Sequence, residues 1–116
     1  MALQEFSDYL KYYPSMAYAP NAQYQIGDIY FSEGNYDAAL KAFDLVLEKF
    51  PDNNKTPDAL YMKGLTLVRM RRPTAGSKEF QEVVRRYPRS EIATKAREQL
   101  RLMGLAAGGA SARKKR

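Results

Sequence analysis

The amino-acid sequence predicts an all-α chain, a helical-hairpin solenoid of about five helices followed by a disordered tail. Three observations carry this. Residues recur at one offset: Tyr13-Pro14, Phe50-Pro51 and Tyr87-Pro88 are spaced by 37, and the same step maps Phe6 onto Phe43 and Phe80, Ala22 onto Ala59 and Ala96, Tyr24 onto Tyr61, and Gly27 onto Gly64. Self-similarity on that scale marks stacked supersecondary units. Within each unit apolar residues return at helical spacing, and no alternating β-branched run is present.

The elements follow in order. Residues 2–14 match only the second helix of a unit, through Ala2, Phe6, Leu10, Tyr13 and Pro14. Leu3, Phe6, Tyr9, Leu10 and Tyr13 then lack a cover from their own unit. Solenoid ends need a polar capping face, so either the chain is a fragment or late start of a longer protein or a second copy covers this surface; self-association through this helix, a homo-oligomer, is expected. A first full unit occupies 18–51. Its first helix, 18–33, carries the stripe Ala22, Ile26, Ile29 and Tyr30, and Gly34 suits a left-handed helix end. Its second helix, 36–50, aligns Ala39, Leu40, Phe43, Val46, Leu47 and Phe50 before Pro51 stops it. A second unit occupies 56–88. Thr56 is read as its cap with Pro57 in the first turn, giving helices 56–70 and 73–86. Ser90 caps a closing helix, 90–103, and residues 104–116 form a disordered basic tail.

Hairpin helices approach closely only where small side chains face one another. Gly27 with Ala39, and Gly64 with Gly76, are the expected contact pairs. Phe43 and Phe80 are expected to fill the space between units.

Composition narrows the chemistry. The chain has 116 residues with no Cys and no His. Disulfides, thiolate or imidazole metal sites and Ser-His or Cys-His nucleophile pairs are thereby excluded. No phosphate-binding glycine loop, calcium-loop spacing or nucleophile elbow is present. Glu79 and Glu82 stand near Arg85 and Arg86, where helix-surface ion pairing accounts for them. The reading is of a protein that is not an enzyme, with no cofactor and no metal. No apolar run is long enough to span a membrane, and the first residues lack the basic start and apolar run of a signal peptide.

Charge is polarised. Residues 1–62 carry 4 basic and 9 acidic groups, residues 63–101 carry 11 and 4, and residues 102–116 carry 4 and none; −5, +7 and +4 sum to the net +6. Arg69, Arg71, Arg72, Arg85, Arg86 and the tail admit a nucleic-acid-associated module as a weaker alternative, because the acidic front half would repel phosphate.

The set Ile26-Gly27, Tyr30, Gly34, Tyr36, Ala39, Phe43 and Pro51 resembles a tetratricopeptide repeat (TPR). The second unit keeps Gly64, Leu67, Phe80 and Pro88, and departs at Lys63, Arg71, Pro73 and Gly76. The resemblance implies a right-handed TPR-type solenoid over residues 1–103. It also implies that the first helix of each unit lines a concave groove for a protein or peptide partner. The groove candidates are then Asn21, Tyr24, Gln25, Asp28, Phe31 and Ser32, followed by Asp58, Tyr61, Met62, Leu65, Val68 and Arg69. The Lys-and-Asn set with which some TPR proteins clamp a terminal carboxylate is missing.

A narrower resemblance covers residues 13–24, Gly27, Tyr30, residues 34–39 and residues 84–90. It is to the C-terminal TPR domain of the Tol-Pal-associated periplasmic cell division coordinators. It implies a periplasmic adaptor that binds envelope proteins, with the cytoplasm as the alternative compartment. Outer-membrane assembly lipoproteins share much of this repeat style, so a TPR scaffold of that type is the alternative function.

Overall fold

The computed structural model describes residues 19–106. Among these the chain forms five helices and no strand: α1 (Ala19–Ser32), α2 (Tyr36–Lys49), α3 (Thr56–Arg69), α4 (Pro73–Arg86) and α5 (Glu91–Ala106). The expected 2–14 helix, the Tyr13-Pro14 junction and most of the tail lie outside the described residues. The closing helix runs past its expected end at Met103 to Ala106. One glycine, Gly104, costs an exposed helix only about 1 kcal/mol relative to alanine, and Leu105 and Ala106 favour continuation.

Local chemistry sets each boundary. Asn35 caps α2, its side-chain oxygen accepting from the Ala38 N–H at 3.4 Å. Gly34, at φ 80°, ends α1 in the left-handed region, and the Asn35 N–H returns to the Tyr30 carbonyl at 2.9 Å. One repeat later the same turn is made by Arg71 at φ 66°, with the Arg72 N–H on the Leu67 carbonyl at 2.8 Å. The hairpin turn is thus conserved in geometry where glycine has been lost.

The two described aromatic–proline junctions begin alike. Phe50 and Tyr87 take φ/ψ of −132°/64° and −130°/56°, and their N–H groups reach Val46 and Val83 carbonyls. Asn53 and Ser90, also 37 apart, each donate from the side chain to the carbonyl of residue 50 or 87. Ser90 caps α5 as expected, accepting from Ala93 N–H at 3.1 Å. Thr56 does not cap α3. It is the first residue of that helix, and its buried hydroxyl accepts from Asn53 N–H at 3.1 Å and donates to the Phe50 carbonyl at 3.3 Å. It staples the inter-unit loop instead.

The core repeats with the sequence. A Cβ added at Gly27 would stand 2.6 Å from Cε1 of Phe43, and one at Gly64 would stand 2.7 Å from Cε1 of Phe80. Each phenyl ring is fully buried against the glycine of its own hairpin, and Phe80 also shares a core cluster with Ala93 and Ala96 of the next helix. The expected Gly64–Gly76 approach is present, since a Cβ at Gly76 would meet the Gly64 carbonyl oxygen at 2.8 Å. At Gly27 the nearest neighbour is Phe43, not Ala39. Lys63, which departs from the apolar residue of the repeat, has an ionic role. Its ammonium lies 2.8 Å from Asp44 of α2 and 3.7 Å from Glu79 of α4, tying α3 to both neighbours.

Successive helices pack as antiparallel neighbours. In addition α1 approaches α3 and α3 approaches α5, whereas α2 and α4 do not approach one another. The first helices of the units therefore crowd together while the second helices splay apart. A layered array spaced unequally in this way must curve, with α1, α3 and α5 on the hollow side. This is a TPR-like helical solenoid.

Candidate functional site: the concave face of α1, α3 and α5

The hollow face is built from residues that each first helix turns away from its hairpin partner. On α1, Asn21 and Gln25 are exposed, and Tyr24, Asp28 and Phe31 are half-buried. On α3, Asp58, Met62, Leu65 and Val68 are half-buried and Arg69 is exposed. Met62, Leu65 and Val68 also rest against the core, so only part of each side chain is available to a partner.

Tyr24 is fixed by stacking and charge. Its ring lies 5.6 Å from that of Phe43, and Lys55 Nζ lies 4.8 Å from its centroid. Burial, together with the carboxylates of Asp58 and Asp28, pushes its phenol up to about 12. Tyr61 repeats the stacking, 5.4 Å from Phe80, but is only 9 % exposed. Burial raises its phenol, and the side chain of Gln99 partly offsets that. Tyr61 is thus chiefly a core residue. What it offers the surface is a shallow cleft shared with Thr94, Lys95, Glu98 and Gln99 of α5.

The far end of the groove is a clasp between units. The Arg69 guanidinium lies 5.1 Å from the Phe31 ring, and its Nη1 donates to the Tyr36 hydroxyl at 3.2 Å. Phe31 and Tyr36 meet edge to face at 5.4 Å. Sequence reasoning missed Tyr36 and Lys55, which lie outside the first-helix periodicity. It also treated α5 as a plain cap. The repeat offset maps Asp58, Tyr61, Met62 and Leu65 onto Lys95, Glu98, Gln99 and Leu102 of α5, and Leu102 is 45 % exposed. The self-association candidates Leu3, Phe6, Tyr9, Leu10 and Tyr13 lie outside the described residues.

Two carboxylates elsewhere, Glu82 and Glu98, are engaged in surface ion pairs. Glu82 holds Arg85 at 2.5 Å and Arg86 at 3.8 Å, and Glu98 holds Arg101 at 2.5 Å. Among the described residues no group of acidic side chains is arranged to hold a metal ion. No described helix is long and apolar enough to cross a membrane. The arrangement is one for contact, a shallow amphipathic surface whose aromatic and aliphatic parts are held rigid from below.

Comparison with known proteins agrees with this architecture. No curated protein matches the chain. A family model, YfiO, described as outer membrane lipoprotein, matches residues 1–106. With that match spanning nearly the whole sequence, and with the repeating hairpins that accompany it, the chain belongs to the YfiO outer membrane lipoprotein family.

Proposed function

We propose that the protein is a non-enzymatic interaction scaffold of the outer-membrane assembly type, working in the cell envelope. It takes a peptide or helix of another envelope protein in the hollow of α1, α3 and α5. The observation that carries this is the crowding of the first helices against the splaying of the second, which leaves a curved face lined by Asn21, Gln25, Met62, Leu65 and Arg69. Half-buried methionine and aliphatic groups give such a surface adaptable apolar contact, while Tyr24 and Phe31 supply rigid aromatic edges.

The family match supports outer-membrane assembly over the adaptor of Tol-Pal cell division, which rests on short resembling stretches alone. Site-directed photo-crosslinking separates the two. A crosslinker at Gln25 or Leu102 is expected to capture components of the outer-membrane assembly machinery, and one at Lys41 or Lys78, on second helices, is not. Capture of Tol-Pal components from the groove positions would favour the division role. Equal capture from both faces would remove the groove from the account.

A further inference from the structure

The groove floor along α3 changes charge from one end to the other. Asp58 stands in the first turn of α3 and Arg69 in its last, with Met62, Leu65 and Val68 between them. On α1, Asp28 lies one helical turn beyond Tyr24. One cation, Lys55, lies over the Tyr24 ring. Among the described residues neither Asp28 nor Asp58 forms an ion pair. At the other end Arg69 is held by neutral groups, the Phe31 ring and the Tyr36 hydroxyl. A guanidinium has five N–H donors, so most of its capacity for an anion is unused. Asp58 and Arg69 also suit the α3 dipole. The dipole does not explain the seating of Arg69 across α1 and α2.

We infer that the groove selects a partner segment of matching polarity, with a basic residue at one end, a short apolar stretch, and an acidic residue at the other. The basic group sits on Asp58, the apolar stretch on Met62, Leu65 and Val68, and the acidic group on Arg69. Positions 58 and 69 are about 16 Å apart along the helix axis. An extended strand covers that span in about five residues. The inference rests on the groove being the docking surface, as proposed above.

Three synthetic peptides test it on the full chain by fluorescence anisotropy. They share an apolar centre and carry one basic and one acidic end, two basic ends, or two acidic ends. The mixed peptide is expected to bind most tightly, by about fivefold per matched charge, the scale of a partly solvated ion pair. Asp58→Asn should weaken the mixed and doubly basic peptides and spare the doubly acidic one. Arg69→Gln should weaken the mixed and doubly acidic peptides and spare the doubly basic one, and Arg69→Lys, which keeps the charge, should restore them. Equal binding of all three peptides, unmoved by these variants, would overturn the polarity and leave the groove standing. Failure of all three to bind would overturn the groove reading together with the inference.

Discussion

Two glycines and one arginine hold the clearest residue-scale consequences. Gly27 and Gly64 admit a phenyl ring where a methyl group would overlap it at 2.6 and 2.7 Å. Phe43 and Phe80 are fully buried and cannot swing away. Gly64→Ala should therefore cost about 1–3 kcal/mol through overpacking, measured by urea denaturation; an unchanged midpoint would show that the ring has room. Arg71 is the converse case. It holds φ 66° where the preceding unit has Gly34 at φ 80°. A side chain in that region costs about 1–2 kcal/mol, so Arg71→Gly should raise the unfolding midpoint. A fall would mean that the arginine side chain contributes more than its backbone loses. Tyr24 gives a spectroscopic readout. Its phenol is expected to titrate near 12 instead of 10.0, and Asp58→Asn should lower that midpoint by removing a nearby negative charge. Because the folded value lies above the ordinary one, the folded state retains this proton longer, and stability falls as the pH rises from the ordinary range through the folded value.

At the scale of elements, much was legible because the physics is periodic. Gly34, Asn35, Pro57, Pro73 and Ser90 mark helix ends by their own backbone chemistry, and each lies at or beside a helix boundary. Thr56 was misread because a hydroxyl before a proline looks like a cap. Only the folded loop reveals that Phe50 and Asn53 come back to meet it. Lys63 looked like a defect in an apolar stripe for a related reason: its partners, Asp44 and Glu79, lie on other helices. Burial pulls its ammonium down, but the hydrogen bonds and charges of Asp44 and Glu79 outweigh this and raise it above 10.5. The contribution of this bridge is intact below the ordinary lysine range and disappears as the pH rises through the folded value. Lys63→Gln should lower stability by about 1 kcal/mol, and the loss should be absent in an Asp44→Asn, Glu79→Gln background. An undiminished loss there would mean that Lys63 acts through its aliphatic stem.

Across the whole molecule, the groove was legible through the first helices and obscure where it depends on contacts between units. Tyr61 has the same register as Tyr24, yet α5 closes over it, so Tyr61→Ala is expected to cost about 3 kcal/mol or more in packing and to confound any binding assay. Tyr24, Gln25 and Leu102 are the better probes. The Arg69–Phe31–Tyr36 clasp joins α1, α2 and α3 through residues separated by 33 in sequence, a distance at which no local pattern signals contact. α5 closes over α3, and its face repeats that of α3 in position but differs in chemistry at three places. Lys95, Glu98 and Gln99 replace Asp58, Tyr61 and Met62. The partner would then meet an apolar floor on α3 and a polar, wetter margin on α5.

The most direct measurement is backbone amide NMR of the full chain titrated with the mixed-charge peptide. Shifts that saturate together along α1, α3 and α5, with the outer faces of α2 and α4 unmoved, are the expected result. Saturable shifts centred on α2 and α4 would contradict the placement of the docking surface on the hollow side.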